Sequence, residues 1–195
     1  MSVSLVILAA GQGTRMNSDL PKVLHKVGAS PLLHHAMQAG RSLDPQATIV
    51  VTGHGSDAVA AAARAFDEDA RTVLQSEQLG TAHAVLQAAP LLQGQPGDAL
   101  VLYGDTPFSR PETLAAMRAA RSRHAIVVLG FHAADPGRYG RLIAEGDILH
   151  RIVEWKDATD SERAVTLCNS GVLCADAATL MRLCAAVGNA NAVGE

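Results

Sequence analysis

The chain has 195 residues, 48% of them hydrophobic, enough for one core that buries roughly 70% of the unfolded surface. Sixteen Lys plus Arg stand against 19 Asp plus Glu, a formal charge of −3, and only 3% of residues are aromatic. This balance excludes intrinsic disorder and argues against nucleic-acid or membrane-surface binding, so any phosphate chemistry must come from a local cluster of charge. Cys168, Cys174 and Cys184 form no CxxC pair, and an odd number cannot close into internal disulfides; a reducing cytoplasm is the expected setting. No apolar run reaches the ~20 residues needed to span a bilayer. The stretch Val3 to Ala10 has no basic segment before it and reads as a strand rather than a signal peptide.

In chain order, residues 4–9 form an apolar run without in/out alternation, as expected of a parallel strand covered on both faces. The turn after it, Leu8-Ala-Ala-Gly-Gln-Gly-Thr-Arg-Met16, brings Gly11 and Gly13 to the carboxyl end of the strand, where ligands bind in such sheets. Arg15 and Lys22 add positive charge, and cations beside backbone N–H groups make an anion site. Neither common phosphate motif fits: Met16 stands where a dinucleotide fingerprint needs its third glycine, and there is no Gly-Lys-Ser/Thr. Lys26 reads as a solvated helix charge. Ser30 is expected to cap a helix with Pro31 at its first position, running to about Ser42. Residues 48–52 form a second strand, Ser56 or Asp57 opens a helix to Phe66, and 71–75 form a weaker strand.

Gln75-Ser-Glu-Gln-Leu-Gly-Thr81 then offers an amide that can both donate and accept, a glycine for close approach and a helix start. It serves equally as a base pocket or as a plain turn and cap. A helix from Thr81 to near Pro90 precedes the strand 99–103, which ends in Gly104-Asp105. Asp105 suits a Mg²⁺ ligand, since that ion takes one or two carboxylates plus phosphate oxygens, or else it starts the turn at Thr106-Pro107. Ser109-Arg-Pro-Glu112 fits a capping box for a helix to about Arg123, followed by a strand at 125–130. Past Pro136 the pattern loosens into shorter strands, 148–154 and 166–174, and a last helix capped by Asp176 through Ala186. Glu154 and Asn169 read either as hydrogen-bonding groups for a sugar or as a strand end and a satisfied buried polar group. The three cysteines read as small core residues, and Trp155 as a packing anchor or a pocket rim. The alternation predicts one domain, 1–195, of α/β class: a mainly parallel twisted sheet flanked by helices, with a smaller lobe in the final third.

The string Leu8 to Met16 with Leu20-Pro-Lys22 resembles the signature of sugar-nucleotide pyrophosphorylases. With Gln75 to Thr81, Tyr103-Gly-Asp105, Tyr139-Gly-Arg141, Ile152-Val-Glu-Trp-Lys-Asp-Ala158 and Asn169-Ser-Gly171, the whole chain resembles one branch of that family: the uridylyltransferase domain of bacterial bifunctional N-acetylglucosamine-1-phosphate uridylyltransferase/glucosamine-1-phosphate acetyltransferases. The resemblance implies a Rossmann-like nucleotidyltransferase fold and a Mg²⁺-dependent reaction. UTP and N-acetylglucosamine 1-phosphate would give UDP-N-acetylglucosamine, which feeds peptidoglycan and lipopolysaccharide synthesis, and pyrophosphate. It also implies roles. Leu8, Ala9, Ala10, Gly11, Gln75, Gly80 and Thr81 would hold the uridine end, and Arg15 and Lys22 would act on the phosphates. Asp105 would ligate Mg²⁺. Tyr103, Gly104, Gly140, Glu154 and Asn169 would line the sugar pocket. In the family this domain continues past the position of Glu195, with a second metal ligand, and a β-helix acetyltransferase domain follows; acetyl transfer and the trimer that the β-helix assembles are therefore not expected of these residues. Three other readings stand beside the leading one: a related sugar-1-phosphate nucleotidyltransferase with another base or sugar, a nucleotide-sugar-binding domain without turnover, and a dinucleotide-binding oxidoreductase, which Met16 disfavours.

Overall fold

The structure, a computed structural model, describes residues 2–11, 13 and 16–187. β1 (Val3–Ala9) leads through a 3-10 turn, Lys22–Leu24, and the short pair β2 (Lys26–Val27) and β3 (Ser30–Pro31) into α1 (Leu32–Arg41). β4 (Ala47–Thr52), α2 (Ser56–Phe66), β5 (Arg71–Leu74), α3 (Gly80–Leu86), α4 (Ala89–Leu92) and β6 (Asp98–Tyr103) follow. Then come α5 (Pro111–Arg121), β7 (Ile126–His132), β8 (Arg141–Glu145), β9 (Ile148–Val153), α6 (Asp160–Arg163), β10 (Leu167–Asp176) and α7 (Ala177–Ala186).

Eight strands form one sheet in the order β5-β4-β1-β6-β10-β8-β9, with β7 paired to the other edge of β10. β1 lies between β4 and β6, parallel to both, and β5 is parallel to β4. β10 runs antiparallel to β6, β7 and β8, so those three share the direction of β1; only β9 and β10 oppose it. The sheet is thus mostly parallel. Side chains alternate across each strand, and the helices cover both faces. Leu5 and Ile7 join Leu33 and Met37 of α1, Val59 of α2 and Leu114 of α5 in one core. Val6 and Leu8 join Val85 of α3, Leu92 of α4 and Leu180 of α7 in the other. No described helix is long and apolar enough to cross a membrane. The three cysteines are buried and free, and burial beside Asp98 pushes the Cys174 thiol up to about 11.

The local expectations need correction at several element starts. Ser30 does not cap α1. It pairs with Val27 in the β2–β3 hairpin, Leu32 N donates to His25 O at 2.9 Å, and Pro31 is the residue before the helix. Lys26 is therefore an exposed strand residue, not a helix charge. Arg110, in extended backbone, precedes α5 with Pro111 at its start, one residue later than a Ser109–Glu112 box requires. The helix expected from Thr81 to Pro90 breaks after Leu86 and restarts at Ala89, with Pro90 tolerated in the first turn of α4. A capping box does occur at Thr159–Glu162, opening α6, and Asp176 caps α7 by accepting from Thr179 N at 2.8 Å. β8 was not foreseen as a strand.

Candidate active site

The carboxyl ends of β1, β5 and β6 open into one cleft of about 440 Å³ at the edge where parallel sheets take ligands. From β1 and its turn come Leu8, Ala9, Ala10, Gly11, Gly13 and Met16; from the 3-10 turn, Lys22 and Val23. Beyond β5 lie Gln75, Gln78, Gly80, Thr81 and Ala84, and beyond β6, Tyr103 and Asp105. The structure thus gathers the glycine turn, the amide-bearing loop and the acidic strand end around one space. Arg15 lies outside the described residues.

Short contacts fix this gathering. Gly13 has φ +64, and a Cβ there would sit 2.7 Å from Lys22 Cβ, so only glycine lets the turn close onto the lysine. In front of Gly11 a Cβ would meet nothing within 4 Å; that space is cleft. Gln78 donates from Nε2 to Ala10 O at 3.3 Å and ties the β5 loop to the β1 loop. Gly104 is buried behind the cleft floor, where its N–H donates to Leu8 O at 2.9 Å.

Charge is concentrated at one point. Lys22 Nζ lies 2.6 Å from Asp105 Oδ2, with the side chains 42% and 26% exposed. The lysine is a compact, rotatable cation suited to phosphate oxygens. The carboxylate faces open cleft with room for phosphates alongside, which fits Mg²⁺ held jointly by protein and substrate. Among the described residues no group of three or more His, Cys, Asp or Glu side chains is arranged to hold a metal by itself. Tyr103 keeps its proton: burial raises its pKa, the Asp105 and Glu154 carboxylates add to this, and a 3.4 Å contact with the Thr81 hydroxyl opposes it.

Gly140, Glu154 and Asn169 form a second cluster that reaches the cleft through Tyr103. Asn169 N donates to Gly140 O at 2.8 Å, and Gly171 N donates to Asn169 Oδ1 at 2.9 Å. A Cβ at Gly140 would come within 2.9 Å of Glu154 Oε1, and one at Gly171 within 2.4 Å of the Tyr103 ring. Asn169 Oδ1 thus accepts one hydrogen bond already, and its amide nitrogen is the donor end of the group.

Two residues were not foreseen in their observed parts. Gln78 lies inside the quoted Gln75–Thr81 string, and its polarity two residues before Gly80 was the available signal. Arg141 is 2% exposed and donates to the carbonyls of Pro136, Gly137, Tyr139 and Arg163. It staples the segment that carries Gly140, and no sequence pattern marks such a hub. Trp155 is stacked by Arg163 at 4.6 Å and Arg138 at 5.3 Å, a packing arrangement.

Sheet topology and a cleft at the carboxyl ends of its parallel strands are those of a Rossmann-like α/β fold, and the family match makes it a nucleotidyltransferase fold. A family model described as the MobA-like NTP transferase domain matches residues 5–170, and the chain belongs to that family. Bifunctional protein GlmU of Cereibacter sphaeroides is 69% identical over 194 residues, covering 100% of this chain and 43% of that protein. Its counterpart in Ruegeria pomeroyi is 62% identical over 195 residues, again 100% and 43%. The chain thus spans less than half the length of these relatives. Among solved structures, an apo UDP-glucose pyrophosphorylase superposes with a TM-score of 0.79 at 17% identity, covering 96% of this chain and 81% of that one. A putative glucose-1-phosphate thymidylyltransferase from Bacillus anthracis gives 0.76 at 21% identity, covering 92% and 73%. At such identities these two likenesses speak for the fold alone.

Proposed function

We propose that this chain is a sugar-1-phosphate uridylyltransferase domain, making UDP-N-acetylglucosamine and pyrophosphate from UTP and N-acetylglucosamine 1-phosphate. The observation that carries it is the convergence of the β1 turn, the Lys22–Asp105 pair and the Gln75–Thr81 loop on one cleft. The identity to the GlmU proteins across the whole chain supports the choice of base and sugar.

The sugar phosphate is already an anionic nucleophile, so no general base is needed. One of its oxygens attacks the α-phosphorus of UTP, the bond to the bridging β-phosphate oxygen breaks, and pyrophosphate leaves with that electron pair. Rate then depends on in-line positioning and charge neutralisation. Lys22 turns from Asp105 to the triphosphate, and Arg15 is assigned to the same anion. Asp105 would hold Mg²⁺, which when bound neutralises phosphate charge. Leu8, Ala9, Ala10, Gly11, Gln75, Gly80 and Thr81 hold the uridine, with Gly104 supporting the floor. On the sugar side, Asn169 donates to the acetamido oxygen, while Glu154, Gly140 and Tyr103 receive the hydroxyls. Three buried free thiols support a reducing, cytoplasmic setting.

The test is pyrophosphate release with Mg²⁺ across four nucleoside triphosphates and several sugar 1-phosphates. Release with UTP and N-acetylglucosamine 1-phosphate, well above the other pairs, is expected. Binding of UDP-N-acetylglucosamine with no release for any pair would leave a binding domain without turnover.

A further inference from the structure

Gln75 lines the cleft, yet its amide is not free to turn. Nε2 donates to Gly80 O at 3.2 Å and lies 3.1 Å from His83 Nδ1. Gln87 stands at the other side of the same imidazole: its Nε2 is 3.1 Å from His83 Nε2 and donates to the His83 carbonyl at 3.0 Å. A carbonyl oxygen only accepts, so both amides must point their nitrogens inward. A neutral imidazole, however, has one accepting nitrogen and one N–H. Gln75 is 3% exposed, so its second amide hydrogen needs a protein acceptor, whereas Gln87 is only partly buried. The tautomer that satisfies the buried group accepts at Nδ1 and carries its proton on Nε2, so of the two amide–imidazole contacts only the one with Gln75 is a hydrogen bond. Both hydrogens of the Gln75 amide are then committed, and Oε1 is the end left without a partner among the described residues.

We propose that His83 is a positioning residue for nucleobase selection: it locks the Gln75 amide with Oε1 presented to the base, favouring a base that offers an N–H there, as uracil does at N3, over cytosine, whose N3 accepts. This rests on the uridylyltransferase reading above. The two pyrimidines have the same ring size, so shape separates them poorly, while hydrogen-bond polarity separates them well. Gly80 supplies one hydrogen bond toward this orientation and His83 the second. Without the second, the amide turns over more readily and presents NH₂, which suits cytosine.

Equilibrium binding of UTP and of CTP, each with Mg²⁺, to the 195-residue chain tests this without requiring turnover. The variants are His83→Leu, which removes the acceptor, His83→Asn, which carries an acceptor oxygen on Cγ where histidine carries Nδ1, and Gln75→Ala. In His83→Leu the UTP-to-CTP affinity ratio should fall by roughly tenfold, the size of one hydrogen bond, through weaker UTP and stronger CTP binding. His83→Asn should restore most of it. Equal weakening toward both nucleotides, unrescued by Asn, would mean a purely structural role and overturn the proposal. So would a wild-type ratio in His83→Leu while Gln75→Ala loses it, an outcome that leaves the base pocket itself standing. A wild-type chain that bound CTP as well as UTP, or a Gln75→Ala variant that kept the ratio, would refute the uridine reading and the role of His83 with it.

Discussion

The Lys22–Asp105 contact is short but partly exposed, and pairs of that kind contribute under about 1 kcal/mol to stability. Either partner can therefore be redirected to a ligand at little cost. Asp105→Asn and Lys22→Ala are each expected to lower the rate of pyrophosphate release by about 10²–10³-fold. The thermal midpoint should move by no more than about 4 °C, and a melting curve alongside the assay separates the two effects. Arg141 presents the opposite case. Its guanidinium is buried against four backbone carbonyls, so its loss strands acceptors rather than a ligand. Arg141→Lys offers a single ammonium in place of the planar fork and should cost about 2–4 kcal/mol in denaturant unfolding, even though charge is kept. Sequence reading picks out Lys22 and Asp105 because their chemistry is local, a cation after a glycine turn and a carboxylate at a strand end. It misses the work of Arg141 because that depends on four carbonyls brought together only by the fold.

At the level of elements, β1, β4 and β6 were legible because strands covered on both faces read as unbroken apolar runs. The expected strand 148–154 is β9, although most of that strand is exposed, but its partner β8 is missed, a five-residue segment with a charged residue at each end, Arg141 and Glu145. The β2–β3 hairpin is too short to leave a period, and it takes Ser30 away from the helix that the Ser-Pro pair predicts. α6 was missed despite a usable signal, the Thr159–Glu162 spacing. Where a cap was read rightly, at Asp176, a pH dependence follows. The Thr179 backbone N–H holds the Asp176 carboxyl below its ordinary pKa. A lowered carboxylate pKa gives stability that is present above the unfolded value, near 4, and lost as pH falls through the folded one. Asp176→Ala should therefore destabilise by about 0.5–2 kcal/mol at pH 7 and lose that difference in acid, as urea unfolding at several pH values would reveal.

For the molecule as a whole, the parallel half of the sheet sets the position of the cleft and the antiparallel half adds the wall that carries Gly140, Glu154 and Asn169. β10 joins them, pairing with β6 through residues 173–176 and with β8 at Cys168, so that Gly171 lies against Tyr103 at the end of β6. In the proposed reaction, nucleotide and sugar phosphate would approach from two sides of this strand end, as in-line attack requires. A crystal structure with UTP and magnesium is the most direct measurement of this account. It should show the triphosphate against the Gly11–Gly13 turn, with Lys22 released from Asp105 and turned to the phosphates and the base against Gln75. A nucleotide bound away from that turn, with the Lys22–Asp105 pair intact, would contradict it.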